Sequence, residues 1–285
     1  MTLQIQKAQR SQVKLKLSLS GPSGSGKTYS ALLLASGITE WDKICVLDTE
    51  NNSASLYDRL GQFNVIRLEP PYHPDRFIEA IQLCEKSGIE VLIIDSASAE
   101  WIGSGGCLEI NSKMASSSYI NWGKVGVMHQ NFINAILQSP MHIISCLRTK
   151  QDYSMEKDSN GKSIVVKLGM AEQTREGFSY EVSLNFTLGI DHYAAADKDR
   201  TFLFMDKPAF KITPDTGRLL KDWAENGKEV NFDPPETKDP VSAPLLEKLK
   251  AKGTLEEVNK KCNLNIQKWE HFTQKQALNC IFMLK

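Results

Sequence analysis

Short apolar runs of strand length alternate with segments of helical pattern along the first half of the chain. Residues 13–20 alternate apolar and polar side chains, which is typical of a strand, and residues 74–86 place apolar side chains at helical spacing. Residues 43–48, 91–95 and 142–147 are mostly apolar runs, which are typical of strands buried on both faces of a sheet. This alternation predicts an α/β domain with a mostly parallel central sheet.

The pattern changes beyond residue 149, where predicted strands follow one another without long helices between them. Residues 158–161, with the sequence Asp-Ser-Asn-Gly, are predicted to form a hairpin-type turn between two predicted strands, 153–157 and 163–168. Two more strands are predicted around residues 180–188 and 201–205. We expect these strands to add an antiparallel extension to the parallel sheet.

Prolines mark the end of this domain. A short helix is predicted over residues 215–223, and the stretch 226–244 is predicted to be a linker because prolines and a glycine interrupt a polar sequence. The predicted organisation is therefore a main domain over residues 1–225, this linker, and a small helical C-terminal region over residues 245–285.

The C-terminal region has a helical pattern. Residues 254–257 and 273–276 both match the capping-box pattern that starts a helix. The region is too short to form a large core, so we expect it to dock on the main domain or on a partner. The apolar side chains expected to share its small core are Leu255, Val258, Trp269, Phe272, Leu278, Ile281 and Phe282.

Composition is that of an ordinary globular protein. The formal net charge is zero, which argues against coating nucleic acid by bulk electrostatics but leaves a local basic surface open. No apolar stretch is long enough to span a membrane and the N-terminus is too polar for a signal peptide, so a cytoplasmic location is expected. The cysteines and histidines show no metal-ligand spacing, so we expect reduced structural thiols rather than disulfides or a zinc site.

The loop between the first predicted strand and helix carries the clearest chemistry. Its sequence matches G-x-x-x-x-G-K-[ST] at every fixed position. Glycines let successive backbone N–H groups converge on an anion, and the following helix adds its N-terminal dipole. Lys27 is expected to reach the β- and γ-phosphates of ATP, and the Thr28 hydroxyl to ligate Mg²⁺. The residues predicted to hold the nucleotide are Gly21, Pro22, Ser23, Gly24, Ser25, Gly26, Lys27, Thr28 and Tyr29.

Two carboxylates complete the predicted site. Asp95 ends an apolar strand, where a Walker B aspartate holds Mg²⁺, and Ser96 stands where many ring ATPases carry a glutamate. The ends of parallel strands converge on the ligand crevice, so Glu50, which follows the strand 43–48, is expected to face the γ-phosphate and act on the attacking water. A solvated loop glutamate is the alternative.

The segments Asp48-Thr49-Glu50 and Ile94-Asp95-Ser96 resemble the RecA recombinase superfamily, which carries its catalytic glutamate on the first and its magnesium aspartate on the second. Over most of residues 13–223 the chain is similar to phage-encoded RecA-like ATPases, AAA-family nucleotide-binding proteins associated with single-strand annealing and recombination. The resemblance implies a RecA-like P-loop NTPase core, Mg²⁺-dependent ATP hydrolysis and, for a phage protein, the bacterial host cytoplasm. The shared stretches are residues 21–28, 47–50, 93–96, 148–153, 175–178 and 198–200.

The resemblance also implies roles for three cations. Arg148 stands near the place where the recombinases carry a γ-phosphate sensor, although the usual residue there is a polar amide; a guanidinium pairs well with phosphate. Lys198 and Arg200 correspond to a pair of cationic residues, late in the sequence of the recombinases, that reach the neighbouring subunit's ATP. This correspondence implies a homo-oligomer, either a ring or a filament. A surface ion pair at Arg148 and a charged hairpin turn at Lys198 and Arg200 are the alternatives.

Single-stranded DNA is the partner that the resemblance implies, bound through two loops after the Asp95 and Arg148 strands. These loops correspond to residues 103–118, rich in glycine and serine, and 149–172, where lysines with a tyrosine suit phosphate contact and base stacking. Solvated flexible loops are the alternative. A single-strand binding or recombination protein is a candidate partner, and no membrane is expected.

Other functions stay open at this stage. A nucleotide-dependent assembly switch for a protein partner, without direct DNA binding, fits the same motifs. A small-molecule or nucleotide kinase fits less well, because no arginine-rich lid segment is present and because Glu50 and Asp95 have the recombinase arrangement. A GTPase is disfavoured by the lack of an Asn-Lys-x-Asp motif.

Overall fold

The computed structural model describes residues 13–114, 118–157, 163–226 and 242–262, together with residues 264, 266, 268–269, 272, 276–277, 280–281 and 284. The chain divides into two compact units, Met1–Phe232 and Asp233–Lys285. Most of the predicted linker and the predicted hairpin turn at residues 158–161 lie outside the described residues. Among the helices of the described part, none is long and apolar enough to cross a membrane.

One sheet organises the first unit. Its strands within the described residues are β1 (Lys16–Gly21), β2 (Ile44–Asp48), β3 (Asn64–Arg67), β4 (Val91–Asp95), β5 (His142–Lys157), β6 (Ser163–Glu172), β7 (Leu184–Leu188) and β8 (Ala194–Asp199). The strand order is β3-β2-β4-β5-β1-β7-β8, and β6 pairs only with β5. All pairs are parallel except β5–β6 and β7–β8. The predicted α/β class, with a mostly parallel sheet and an antiparallel extension, is confirmed.

Helices cover both faces of this sheet. In the first unit they are α1 (Lys27–Ile38), α2 (Pro74–Lys86), α3 (Ser98–Ile102), α4 (Cys107–Lys113), α5 (Ser118–Gln138), α6 (Phe178–Glu181) and α7 (Pro214–Asn226), with 3-10 turns at Trp41–Lys43 and Ser53–Leu60. The strand β4 shows why its sequence is continuously apolar. Val91 and Ile93 join the core beside α1 and α7, whereas Leu92 and Ile94 join the core beside α2 and α5. Because both faces are covered, apolar side chains are favoured at every position of the strand before Asp95.

The polar positions of β1 are also buried, although their alternation with apolar residues is the usual mark of a half-exposed strand. Ser18 donates to Asn185 Oδ1 (2.7 Å), and the Lys16 ammonium donates to the carbonyls of Ser139 and Met141. Burial lowers the pKa of Lys16 to about 8. Each polar group of this strand therefore tolerates burial because it finds a partner inside the domain.

The predicted strand at residues 201–205 is wrong, and the one at 180–188 is shorter than expected. The strand that pairs with β7 in antiparallel fashion is β8, and it ends at Asp199. The Asp199 carboxylate accepts hydrogen bonds from the backbone N–H groups of Thr201, Phe204 and Met205. A carboxylate that binds several following N–H groups replaces the ladder partners that a strand would need, so the chain bends there.

The first predicted DNA loop, residues 103–118, contains a helix. The backbone N–H of Gly105 donates to the Glu109 carboxylate (2.6 Å), and Glu109 also pairs with Lys113 one turn later. The first contact satisfies a backbone N–H group just before α4, and the second is an ion pair between side chains one turn apart on the helix. Both favour a helix here despite the glycines and serines of the segment. The next helix, α5, begins at Ser118.

The second predicted DNA loop, residues 149–172, is an antiparallel hairpin. The strand β5 continues from the sheet through Lys157 and pairs with β6 from Thr149 opposite Glu172 to Lys157 opposite Ser163. The predicted strands 153–157 and 163–168 are therefore parts of longer strands.

The second unit contains α8 (Ala243–Lys250) and α9 (Leu255–Cys262). The capping box at the start of α9 is confirmed: Thr254 N donates to the Glu257 carboxylate (2.8 Å), and Glu257 N donates to Thr254 Oγ1 (3.4 Å). The box predicted at residues 273–276 lies largely outside the described residues. The buried members of the small core are Leu249, Val258, Phe272, Ala277 and Cys280.

Candidate nucleotide-binding site

The phosphate loop joins β1 to α1. Gly24 and Gly26 both have φ of 83°, a left-handed conformation that favours glycine, and Gly26 caps the start of α1. A Cβ built on Gly24 would meet no atom within 4 Å, so the space beside this part of the loop is open. Strand, turn and helix thus have the arrangement that the motif requires for an anion site.

Two polar side chains of this segment, those of Lys27 and Ser25, differ in their hydrogen bonding. The Lys27 ammonium donates to the carbonyls of Gly21 and Pro22, each at 2.9 Å, and so lies folded back over the loop. The Ser25 hydroxyl is buried and has no hydrogen-bond partner within the described part of the chain. Buried hydroxyls are normally satisfied, so an unsatisfied one here fits a loop that binds an anionic ligand.

The Thr28 hydroxyl lies against the end of β4. Its Oγ1 donates to Asp95 Oδ2 at 2.5 Å. Asp95 is only 2% exposed, and burial raises its pKa to about 6, against the opposing effect of the Thr28 hydrogen bond. A buried carboxylate beside a hydroxyl is the donor set that a Mg²⁺ bound to a nucleotide prefers, so these two residues fit the predicted metal role.

Hydrogen bonds join the segment after β2 to the segment after β4. The Asp48 carboxylate accepts from the backbone N–H groups of Glu50 (2.6 Å) and Ala54 (2.8 Å). Thr49 N donates to the Asp95 carbonyl (2.8 Å), and Ser96 N donates to Thr49 Oγ1 (2.9 Å). These bonds fix Glu50 at the same sheet edge as Asp95. Sequence reasoning did not assign this positioning role to Asp48.

Arg148 reaches this edge from β5, which lies between β4 and β1. Arg148 is paired in register with Gly21, and its N–H donates to Ser98 Oγ (2.9 Å). Its guanidinium donates to Glu50 Oε1 through Nε (2.7 Å) and lies 2.7 Å from the same oxygen through Nη2. The Glu50 hydrogen bond raises the pKa of Arg148. The predicted base and the predicted sensor are therefore ion-paired with each other.

Lys198 and Arg200 lie at the other edge of the sheet. Asp199 is opposite Leu184, and Leu184 is opposite Leu17 near the start of β1, whereas the phosphate loop follows the end of β1. The Lys198 ammonium donates to the carbonyl of Tyr180. Burial is the main cause that lowers the pKa of Lys198, and the charge of Arg200 lowers it further. Within one protomer these two cations do not join Lys27 and Asp95.

His192 stands beside the phosphate loop and was not identified from the sequence. A Cβ built on Gly26 would lie 3.2 Å from His192 Nδ1. The residue lies in the turn between β7 and β8, where its N–H donates to the Gly189 carbonyl (3.0 Å). Because β7 runs parallel to β1, the turn after β7 returns to the edge that carries the phosphate loop. The centre of the Tyr29 ring, just after the loop, lies 6.1 Å from that of Tyr57.

Comparison with known proteins agrees with this geometry. The family model for an AAA domain matches residues 13–212, which is more than half of the chain and includes all the site residues above. No curated protein matches the chain at a significant level. The chain therefore belongs to the AAA domain family, whose members have a nucleotide-binding, ATPase-type P-loop domain.

Proposed function

We propose that this protein is a Mg²⁺-dependent ATPase of RecA-like organisation that acts on single-stranded DNA in recombination or annealing. The observation that supports it best is the meeting of Lys27, the Thr28–Asp95 pair and the Glu50–Arg148 pair at one edge of the sheet. The strands β1, β2 and β4 end at this edge, and β5, which lies between β4 and β1, carries Arg148 past it before continuing to Lys157.

The strand order favours the RecA-like assignment. β5 lies between the phosphate-loop strand and the Asp95 strand, and the glutamate follows the strand next to Asp95 rather than Asp95 itself. Ser96, which occupies the position after Asp95, is buried and donates its N–H to Thr49. It therefore offers no second carboxylate, and the task of acting on water falls to Glu50.

Each residue of the site has a task in this proposal. The phosphate-loop N–H groups and Lys27 bind and orient phosphate, while Thr28 and Asp95 would hold Mg²⁺, which when bound offsets phosphate charge. Glu50 accepts the proton of the attacking water at Oε1 or Oε2. Because Oε1 is engaged by Arg148, transfer of that guanidinium to phosphate frees the oxygen for proton transfer. The ion pair thus represents a resting arrangement.

The position of Lys198 and Arg200 is the reason for proposing an oligomer. Arg200 is exposed and lies far along the sheet from its own phosphate loop, so a role at ATP requires the phosphate loop of a neighbouring protomer. Such a cation supplied in trans raises turnover by about 10³–10⁵-fold in related phosphoryl-transfer sites. We accordingly propose an intersubunit ATP site in a homo-oligomer.

DNA binding is proposed for the segments that leave the same edge. The α4–α5 segment follows β4, and the β5–β6 hairpin extends β5 beyond Arg148. Tyr119, in the first turn of α5, is 91% exposed and is thus available for base stacking. DNA bound here is linked to the site through Ser98, whose hydroxyl accepts from Arg148 N.

The test is ATP turnover by the full-length protein with and without single-stranded DNA, at two salt concentrations. We expect DNA to stimulate turnover and the stimulation to fall at the higher salt, because phosphate contacts release counterions. The Tyr119→Ala variant should lose stimulation, whereas Tyr180→Ala, which removes another exposed tyrosine, should keep it. ATP turnover that never responds to DNA would reject the DNA role and favour an assembly switch for a protein partner.

A further inference from the structure

Three side chains with metal-binding atoms meet in the interior beside the α3–α5 helices. They are Glu100 on α3, Cys107 at the start of α4 and His129 on α5, and all three are buried. Cys107 Sγ lies 3.0 Å from Glu100 Oε1, and His129 Nδ1 lies 3.0 Å from Glu100 Oε2. One potential ligand atom from each of the three lies within 4.8 Å of the others.

The backbone holds two of these residues close together. A Cβ on Gly106 would lie 2.6 Å from the carbonyl oxygen of Glu100, so only glycine allows α3 and α4 to approach this closely. The approach places Cys107 directly beside Glu100. The third member, His129, is held by aromatic packing, with the ring of Trp101 at 5.1 Å and that of Phe132 at 6.4 Å.

A catalytic role for the thiol does not fit this cluster. Cys107 is 0% exposed, so no substrate can reach its thiol, which donates to the equally buried Glu100 carboxylate. An ordinary hydrogen-bonded cluster also leaves a fully buried carboxylate, since Glu100 is 0% exposed too. The carboxylate is already paired with His129 at 3.0 Å, and metal coordination by the same side chains is another of the usual ways in which a buried charge is compensated.

We propose that Glu100, Cys107 and His129 form a zinc-binding site that is separate from the nucleotide site. The ligand set of one thiolate, one imidazole and one carboxylate suits Zn²⁺ in a reducing compartment. On binding, the Cys107 S–H bond is replaced by an S–Zn bond and the proton goes to solvent. The thiolate and the carboxylate then balance the two positive charges of the metal, so the buried site becomes neutral.

Two of the three spacings between ligand atoms are close to those around a tetrahedral ion. Zinc bonds of about 2.0–2.3 Å place neighbouring ligand atoms about 3.3–3.8 Å apart. The contacts of 3.0 Å and 3.2 Å at Glu100 therefore need to open by only a few tenths of an ångström. A cavity of about 200 Å³, lined by Arg175 and Glu176 among others, adjoins the cluster at His129.

Zinc at this position would join the three helices that follow the Asp95 strand. Glu100 lies five residues after Asp95, and α4 and α5 form the segment for which DNA binding is proposed above. The metal would fix this segment in place whether or not nucleotide is bound. The zinc proposal rests on the buried ligands and does not depend on ATP hydrolysis.

Cobalt is the probe that tests the ligand set. The full-length chain, reduced and stripped of metal, is titrated with Co²⁺ and then with competing Zn²⁺. We expect one Co²⁺ per chain, with visible bands of tetrahedral cobalt and a thiolate charge-transfer band that Zn²⁺ removes, together with a change in Trp101 fluorescence. Cys107→Ser should lose the charge-transfer band and weaken binding at least tenfold. Cys262→Ser, which removes a thiol of the second unit, should change neither.

Alkylation of the wild-type protein provides a second test that needs no variant. Under mild denaturant, Zn²⁺ should slow alkylation of Cys107 at least tenfold relative to the chelator-treated protein, as measured by peptide mass spectrometry, and should leave Cys262 unaffected. Failure of the wild-type protein to bind Co²⁺ at micromolar concentration would overturn the proposal. So would equal alkylation of Cys107 with zinc and with chelator. Either result would leave the trio as a hydrogen-bonded cluster without metal.

Discussion

Arg148 binds a single oxygen of Glu50 through two of its nitrogens, Nε and Nη2, each at 2.7 Å. The two residues are 98 positions apart in the chain and come together only because β2 and β5 flank β4. Arg148 and Glu50 are 46% and 26% exposed, so the pair contributes at most about 1 kcal/mol to folding. Its importance therefore lies in the chemistry of the edge that it shares with Lys27 and Asp95.

Removing the guanidinium should affect turnover far more than stability. We expect Arg148→Ala to lower ATP turnover at least tenfold, because a positive group placed near developing phosphate charge is lost, while the melting temperature changes by only a few degrees. Steady-state turnover and a thermal melt measure the two effects. Arg67→Ala is the matched control, since Arg67 also lies on a strand at this edge, as the last residue of β3, but donates to Asn52. Equal loss in both variants would contradict a specific role for Arg148.

Alanine substitutions at two glycines of left-handed conformation distinguish an effect on folding from an effect on nucleotide binding. Gly26 and Gly88 have φ of 83° and 71°, so alanine at either position should cost about 1 kcal/mol of stability. Only Gly26→Ala also places a Cβ in the phosphate loop, 3.2 Å from His192. We expect Gly26→Ala to abolish nucleotide binding and Gly88→Ala to keep it, measured by fluorescent-nucleotide titration. Retained binding in Gly26→Ala would show that the loop is not the nucleotide site.

The pKa of Asp95 predicts how binding depends on pH. Burial raises this pKa to about 6, so below pH 6 the carboxyl is mostly protonated and cannot hold a cation. We expect Mg²⁺-dependent nucleotide affinity to fall as pH drops from 7 to 5, approaching tenfold per unit at the lower end. The side chain at position 95 does not titrate in the Asp95→Asn variant, so the pH dependence of affinity that remains there reflects titration of the nucleotide itself. If wild type and variant showed the same pH dependence, Asp95 would not be the metal ligand.

Acid should destabilise the fold through His142. This residue is 5% exposed, its Nδ1 accepts the N–H of Leu15 (3.1 Å), and burial lowers its pKa to about 3 from an ordinary value of 6.5. Between these values the unfolded chain binds a proton that the folded chain does not. The free energy of unfolding should therefore fall by up to about 1.4 kcal/mol per pH unit below pH 6.5.

Denaturant unfolding at pH 7 and pH 5 measures this loss. In His142→Asn, whose amide oxygen can still accept the Leu15 N–H, the contribution should disappear and the pH dependence should become shallower. A variant with the same acid sensitivity as the wild type would show that other groups control it.

Parts of the site could be predicted because they depend on local sequence. The phosphate loop, the burial of β4 and the bounds of α2 follow from motif and periodicity, which act over a few residues. The Glu50–Arg148 pair could not be predicted, because the strand order decides which ends are neighbours. The misplaced strand at 201–205 has a similar origin: its apolar residues fit a strand, but Asp199 binds the N–H groups that the ladder would have used.

The same limit applies to Cys107 and His129. Their separation of 22 positions resembles no metal motif, and only the packing of α3, α4 and α5 brings them to Glu100. Sequence spacing finds metal sites built on one hairpin or one helix. A site shared among three helices becomes visible only in the fold.

An intersubunit site predicts that two defective variants can rescue each other. Arg200→Ala retains its own Lys27 and Glu50, whereas Glu50→Gln retains Arg200. If Arg200 acts on the neighbour's ATP, each protein alone should turn over at least tenfold more slowly than wild type, and mixed oligomers should recover part of the rate. Turnover measured across mixing ratios should pass through a maximum. Turnover that never exceeds the sum of the separate proteins would contradict action in trans.

The measurement that tests the central claim most directly is single-site replacement of the proposed base. Glu50→Gln keeps the shape of the side chain and an oxygen for Arg148, but the amide cannot accept a proton from water. We predict that ATP binding stays within about threefold of wild type while turnover falls by at least about 100-fold, the usual contribution of a general base. Glu69→Gln, an exposed glutamate beyond β3, should leave both unchanged. Turnover by Glu50→Gln at the wild-type rate would contradict the proposed ATPase mechanism.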